Sequence, residues 1–341
     1  TIKLGTNDSR LPYRLEVPEQ FDDSYRSIIH AFKALSPSPR IILLLPAASY
    51  LTDTTRQADQ IISRLIIPHI QQIAFEEKLE LIDLHSITQE KGNLFPDGLH
   101  PSAEGAGIIA RRLAEAIQRK PARTFDIFEK IKSPYKVSSF HGYDCADFSF
   151  EGRAAKIVKP RVIAKGHPWI WRARFWGHEP QTDIALLDRG FHVVYCDVAE
   201  LFGNADAVGI WNRFYHFLHK SGLADKAVLE GMSRGGVYIY NWAAENPRKV
   251  ACVYADAPVL DMLTWPGGRG REPASPRDWE IFKKDYGYTS DEETLTFKNN
   301  PLDKINLIVK GRYPMLHVVG DADEVVPVPD NTDLFEKKIL E

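Results

Sequence analysis

Residues 226–236 read KAVLEGMSRGG, and the fold turns on how they are read. Residues 226–230 form a short, mostly apolar run of strand type. They lead straight into Gly231, Met232, Ser233, Arg234 and Gly235, a G-x-S-x-G pattern with a further glycine at 236. The segment that follows, through Ala244, reads as a helix. A serine on a sharp strand-to-helix turn needs small neighbours. Adjacent backbone must come close, while strained angles lift the hydroxyl clear of the sheet. The N–H of Arg234, at the start of the helix, then points to where an oxyanion develops. Ser233 is therefore the candidate nucleophile and Arg234 a candidate oxyanion donor.

Strands and helices alternate on both sides of this motif. Residues 148–153 (FSFEGR) and 155–159 (AKIVK) read as a hairpin with its turn at Glu151 and Gly152. Strands are expected at 169–175, 191–197, 250–254 and 315–319, and helices at 180–188, 207–218 and 331–340. Residues 264–300 break the rhythm with Pro, Gly and charge. Upstream, residues 40–46 (RIILLLP) read as a strand buried on both faces. Helical spacing runs over 52–76, with Pro68 a kink or break. Residues 79–84 (LELIDL) give the next strand. A helix over 102–118 follows, with Ser102 as N-cap and Ile108, Ile109, Leu113 and Ile117 as its inner face. Residues 120–143, with Pro121 and Pro134, show little periodicity and read as a connector. Buried strands alternating with helices imply parallel sheets covered on both faces. The fold class is α/β: two doubly wound three-layer domains at 1–119 and 148–341, joined by a connector over 120–147. No repeat of fixed period is present.

The composition fits this reading. A chain of 341 residues predicts about two domains. With 44% hydrophobic and 26% charged residues, a largely disordered chain is excluded. The apolar runs are too short for a membrane-spanning helix. Residues 1–125 carry 15 basic and 15 acidic side chains and the remainder 28 and 31, so neither part has the basic excess of a nucleic-acid binder. Cys145, Cys196 and Cys252 have no CxxC spacing and read as small buried hydrophobes. Trp169, Trp171, Trp176, Trp211 and Trp265 are of the type that stacks on sugars, but such residues more often serve as core packing. No metal-ligand pattern is seen, and no cofactor is expected.

The G-x-S-x-G element, in its strand–turn–helix context, resembles the α/β-hydrolase superfamily from about residue 148 onward. The resemblance implies an acid in a loop after a late strand. Residues 317–327 (HVVGDADEVVP) look like that loop, with Asp323 a better match than Asp321. It also implies an oxyanion N–H from the turn after the 169–175 strand, near Trp176 or Gly177. The family's order is serine, acid, histidine. Here the last histidine is His317, before the acid, and none follows Asp323.

Residues 5–8 (GTND) follow a short apolar start, and residues 96–102 (PDGLHPS) precede the 102–118 helix. This pair resembles the SGNH (GDSL) hydrolases. The resemblance implies Asn7 as an oxyanion donor, Asp97 as acid and His100 as base. That family carries its nucleophile in a Gly-Asp-Ser block ahead of the asparagine, and no such block occurs in the first half. Together these absences lead to the expectation of a reading frame cut at both ends. The first domain would lack its nucleophile block and the second its histidine loop, leaving both incomplete.

By resemblance, the parent is a bifunctional serine esterase acting through an acyl-enzyme, on acetyl, other small acyl or hydroxycinnamoyl esters of carbohydrates. Its partner is a small-molecule or polysaccharide ester, with no nucleic acid or membrane, and family likeness implies export. The alternatives are a peptidase-type hydrolase and a non-catalytic glycan-binding protein with degenerate sites. Service of Ser233 by His100 would need the two sites to meet within ~3 Å.

Overall fold

The computed structural model describes all residues except 54, 120–124 and 271–272. The first residues of the expected connector, 120–124, lie outside the described residues. Among the described residues, two sheets carry the chain.

In the first part, β1 (Ile42–Leu44) and β2 (Glu80–Ile82) pair in parallel, and Ile2 bridges to Leu43 on the other side of β1. Side chains alternate across this small sheet, as strand geometry requires. Leu43 and Leu81 face a cluster with Tyr25, Ile29, Ile66, Ile70 and Ile73, while Ile42, Leu44 and Ile82 face Ala116, Ile109 and Leu113. Helices therefore cover both faces: Asp22–Lys33 and Ile67–Glu77 on one, Ala103–Gln118 on the other.

The helix expected over 52–76 is helical only from Asp59. A widened π-type turn at Ile62–Ile66 precedes Ile67–Glu77, whose first turn holds Pro68. Proline cannot donate the N–H that a continuous helix needs, and the wide turn absorbs the break. The last helix begins at Ala103 with Ser102 capping the Gly105 N–H, as read from sequence. Its inner face differs, since Ile117 is 60% exposed and Arg112 is buried.

The larger sheet has eight strands in the order β10-β9-β8-β6-β7-β5-β4-β3. β3 (Tyr135–Phe140), β4 (Tyr143–Phe150) and β5 (Arg153–Lys159) run antiparallel. β6 (Trp169–Ala173), β7 (His192–Cys196), β8 (Ala227–Met232), β9 (Val250–Asp256) and β10 (Met315–Val318) run parallel to one another. The expected hairpin turns at Glu151 and Gly152, both with positive φ, as a tight hairpin demands.

The connector expected over 120–147 needs correction, because residues 135–140 and most of 143–147 are strands of this sheet. β3 is an edge strand with a largely solvated side chain row, so it carries no burial periodicity. Its turn at His141 and Gly142 also has positive φ. Trp169, Trp171, Trp211 and Trp242 are fully buried in the main core. Trp171 stacks on Trp211 at 4.2 Å, so these tryptophans are packing and not sugar platforms. Cys145 and Cys196 are buried, and burial pushes both thiols up to about 12.

A buried polar knot fastens the first part to the larger sheet. Asp188, just past the Gln181–Leu187 helix, accepts the Tyr143 hydroxyl and the Asp83 N–H, the latter at 3.2 Å. Arg112 lies 3.3 Å from its carboxylate and donates to its carbonyl oxygen at 3.1 Å, and Arg119 donates to the same oxygen. Burial pushes the Asp188 carboxyl up to about 6. Lys78 of the first part pairs with Asp144 of β4 at 2.7 Å.

Candidate active sites

In the first part, the residues picked out by sequence lie on loops held together by the segment after β1. Gly5 has φ +104°, and a Cβ there would meet Ile66 at 2.5 Å, so only glycine lets the chain enter the Asn7–Ser9 turn. The Asn7 amide oxygen accepts from Gln57 at 3.0 Å, which leaves the NH₂ as the end of the side chain able to donate elsewhere. The same segment receives the 97–100 turn: Tyr50 N–H donates to Gly98 O at 2.7 Å. The Tyr50 hydroxyl also accepts from Lys91 N–H at 2.8 Å and donates to Thr88 O.

Within the turn, one oxygen of Asp97 accepts the Leu99 and His100 N–H groups at 2.9 and 2.6 Å. Its other oxygen meets His100 Nδ1 at 2.6 Å. These contacts hold the Asp97 carboxyl far below the usual carboxylate range, with the His100 N–H bond the largest cause. A carboxylate on Nδ1 fixes the ring and presents Nε2 as the base. The pair is exposed, at 57% for Asp97 and 77% for His100.

In the second part, Ser233 sits on the turn between β8 and the helix Gly235–Glu245, at φ +49°. A non-glycine residue there is strained, and packing must hold it. Ser233 N–H donates to Asp256 O at 2.8 Å, and Ser233 O accepts from Gly236 and Val259 at 2.9 Å each. A Cβ on Gly235 would lie 2.8 Å from Ala173 O, and one on Gly236 2.6 Å from Pro258. The glycines are there because backbone passes too close for any side chain.

The turn after β6 holds Arg174 and Phe175, both at positive φ. Arg172, 2% exposed, shapes it from below: Nε donates to Phe175 O at 3.1 Å, and Nη2 donates to His178 O. Its Nη1 bridges Asp183 at 2.5 Å and Glu230 at 3.1 Å. Glu230 immediately precedes Gly231 and is the cross-strand partner of Arg172, so one buried guanidinium joins the nucleophile strand to the loop beside it. Burial raises both carboxyls, that of Glu230 well above its usual value with Asp183 adding to the push. Sequence reading missed Arg172, Asp183 and Glu230. For Arg172 and Glu230 the available signal was a charge inside strands otherwise buried on both faces; Asp183, on the Gln181–Leu187 helix, gave none.

Trp176, the expected oxyanion contributor, lies in this loop, with its ring packed beside Phe140 and Tyr195. Only its main chain is open to that role. Arg234 follows the same logic. Its guanidinium, 3% exposed, pairs with Asp278 at 2.9 Å and lies over the Phe202 ring at 4.8 Å. The side chain thus anchors the helix Pro276–Tyr286, so only the backbone N–H is left for the expected oxyanion role.

Asp323 is in the loop after β10, where one carboxylate oxygen accepts Val325 and Val326 N–H at 2.8 and 2.9 Å. Among the described residues the histidine–carboxylate pairs involve Glu77, Asp22, Asp59, Asp97 and Asp225, so Asp323 orients no imidazole. His317 is engaged elsewhere. It contacts the Tyr240 hydroxyl at 2.6 Å and Thr332 at 3.1 Å, and burial lowers it to about 4.

The two parts meet at a cleft of about 540 Å³. Ser86, Gln89 and Glu90 line it from the first part, and Gln181, Thr182, Glu230, Met232, Tyr254 and Asp256 are among its second-part walls. Met232 precedes Ser233 in sequence, and Asp256 holds the Ser233 N–H. The cleft also lies by the carboxyl ends of β8 and β9. At β6 the strand order doubles back between β7 and β8, and ligands of open α/β sheets bind outside the carboxyl ends at such a point.

Residues 1–108 match the model of the GDSL-like Lipase/Acylhydrolase family. An acetylxylan esterase of Xylanibacter ruminicola is 30% identical over 135 residues, covering 34% of this chain and 28% of that protein. The chain thus spans less than a third of the curated relative's length. Acetyl Xylan Esterase 1 from Thermoanaerobacterium sp. is similar to 67% of this chain over 82% of its own, at 21% identity and a TM-score of 0.41. A puromycin hydrolase is similar to 61% of this chain over 33% of its own, at 20% identity and a TM-score of 0.42.

Proposed function

We propose that this chain carries the parts of two serine-type ester hydrolases, acting on acyl esters of carbohydrates. The observation that carries the reading is Ser233, held at positive φ on a glycine-walled turn between strand and helix. Nothing structural alone requires a strained serine there, whereas a nucleophile elbow does. Ser233 attacks the ester carbonyl after giving its hydroxyl proton to a base that the described residues do not place beside it. The C–O bond to the alcohol then breaks, the alcohol leaves with that proton, and the acyl group stays on Ser233. The N–H of Arg234 and a main-chain N–H of the 174–177 loop hold the oxyanion, and water releases the acid. Asp323 is the acid of this site.

In the first part, Asp97 orients His100 as the general base, and the Asn7 amide donates to the oxyanion. The similarity of part of the chain to an acetylxylan esterase favours acetyl groups on a xylan-type glycan.

The test assays the protein on p-nitrophenyl acetate and acetylated xylo-oligosaccharides. Ser233→Ala is expected to remove one activity by about 10⁴-fold or more, and His100→Ala a separable one. Loss of the same activity in both variants refutes two independent sites. Unchanged activity in Ser233→Ala refutes the elbow as a catalytic centre.

A further inference from the structure

Beneath the elbow, one buried cation faces two buried acids. Arg172, Asp183 and Glu230 are 2%, 0% and 5% exposed, so the three meet away from water. Arg172 directs Nε and Nη2 to Phe175 O and His178 O. Its Nη1 donates to Asp183 Oδ2 at 2.5 Å and to Glu230 Oε1 at 3.1 Å. Asp183 Oδ1 and Glu230 Oε2 remain, both buried, and among the described residues no N–H or O–H donates to either. The two carboxyls nevertheless lie within hydrogen-bond reach of each other.

Two carboxylates held this way repel each other and leave one negative charge uncompensated in the core. One proton removes both faults. It makes one carboxyl a donor to the other and brings the trio to neutrality. The neighbouring titratable groups supply no second cation. His141, in the β3–β4 turn, faces Asp183, but burial holds it toward its neutral form. Asp256 and Tyr254 of β9 face Glu230, and neither can be positive.

We propose that Asp183 and Glu230 share a single proton, and that this carboxyl–carboxylate bond, gripped by Arg172, is the positioning element that ties β8 to the helix Gln181–Leu187. Glu230 lies three residues before Ser233, and Arg172 holds carbonyls of the loop after β6. The shared proton therefore keeps the elbow and that loop in fixed relation. Glu230 also lines the cleft, which gives the proton a way out to solvent. Once it leaves, two carboxylates compete for one guanidinium and the tie weakens. That the tie serves catalysis rests on the reading of Ser233 as a nucleophile; the shared proton does not.

Infrared difference spectroscopy reads the proton near pH 6, about two units above the values of free carboxyls. The parent chain should show the carbonyl stretch of a protonated acid, and both Glu230→Gln and Asp183→Asn should lack it. In each variant the amide stands in for the neutral partner and leaves the other carboxyl ionised. No such band in the parent chain overturns the proposal. So does a band that survives Asp183→Asn, since Glu230 would then be neutral alone. Both single variants should fold, whereas Asp183→Asn/Glu230→Gln leaves Arg172 buried without a counter-charge and should unfold at lower urea. A double variant as stable as the single ones overturns the pairing.

The pH dependence has a definite sign. Unfolded carboxyls lose their protons near pH 4, while the folded pair keeps one. Stability from it is complete below about pH 4 and falls as pH rises, until the folded pair ionises. Over that window the unfolding constant of the parent chain should rise against that of Glu230→Gln by up to about tenfold per pH unit. Amide resonances of 174–178 and 231–236 should shift together with the loss of the infrared band, and should not do so in Glu230→Gln. Equal pH slopes, or resonances that ignore the loss of the band, overturn the positioning role. Hydrolysis enters none of these measurements, so loss of the esterase reading in Ser233→Ala assays leaves the proton in place, and the reverse.

Discussion

The Asp97–His100 turn and the Ser233 elbow both fix polar groups in one arrangement, but they are held by opposite means. The turn is local. Asp97 reaches two N–H groups and a ring nitrogen within three residues, all of it exposed to water. The elbow is global. Its serine is kept at positive φ by glycine contacts with β6 and with the loop after β9, and the loop beside it hangs on a buried arginine. The contrast teaches where a failure spreads: damage at the turn stays in the turn, and damage at the elbow reaches the sheet.

The largest expected effect follows from Arg172. Arg172→Met leaves Asp183 and Glu230 buried without their cation, a loss of about 3–5 kcal/mol for a broken buried pair. Urea denaturation measures it. Hydrogen exchange should show residues 174–178 losing protection beyond the global change. An equal loss at every amide would mean that Arg172 does nothing particular for that loop.

Gly235→Ala comes next. The new Cβ sits 2.8 Å from Ala173 O, backbone that cannot swing away, so about 1–3 kcal/mol is expected. A midpoint unchanged in urea would show that β6 gives way easily, and the elbow would then be less tightly clamped than the contact distances imply.

This difference in scale also explains what the sequence disclosed. The Asp97–His100 pair and Ser102 cap were legible because each is closed within a few residues. Most strands of the larger sheet were legible from continuous apolar runs. β3 was not, since an edge strand such as 135–140 has one solvated face and a mixed pattern. Ile117 was placed inward by periodicity, but the helix turns Arg112 inward to meet Asp188, and this 76-residue separation leaves no local trace. The partners of Arg172 were hidden for the same reason: they come from β8, the 181–187 helix and its own loop.

The third effect concerns acid. His192, fully buried at the start of β7, has neither ring nitrogen hydrogen-bonded, and burial lowers it to about 3. The unfolded chain takes up this proton near pH 6.5 and the folded chain only near 3. Stability from this group is complete above about pH 6.5 and is lost as pH falls through that window, at up to about 1.4 kcal/mol per unit. His192→Phe should flatten the slope of urea stability against pH between 6.5 and 4. A slope identical to that of the parent chain would show that the ring protonates in the folded state without cost.

Asp97→Asn should have the smallest effect on the fold and a large one on the turn. The carboxylate is exposed and its partners lie within three residues, so the urea midpoint is expected to stay where it is. NMR should nevertheless show the His100 ring resonances moving, because the single oxygen of Asn cannot serve both the Leu99 and His100 N–H groups and the ring Nδ1. On the proposed reading, an activity lost in His100→Ala should fall in Asp97→Asn while one lost in Ser233→Ala persists. If Asp97→Asn instead lowered the midpoint as much as Gly235→Ala, the turn would be part of the scaffold, and the division between a local site and a global one would collapse.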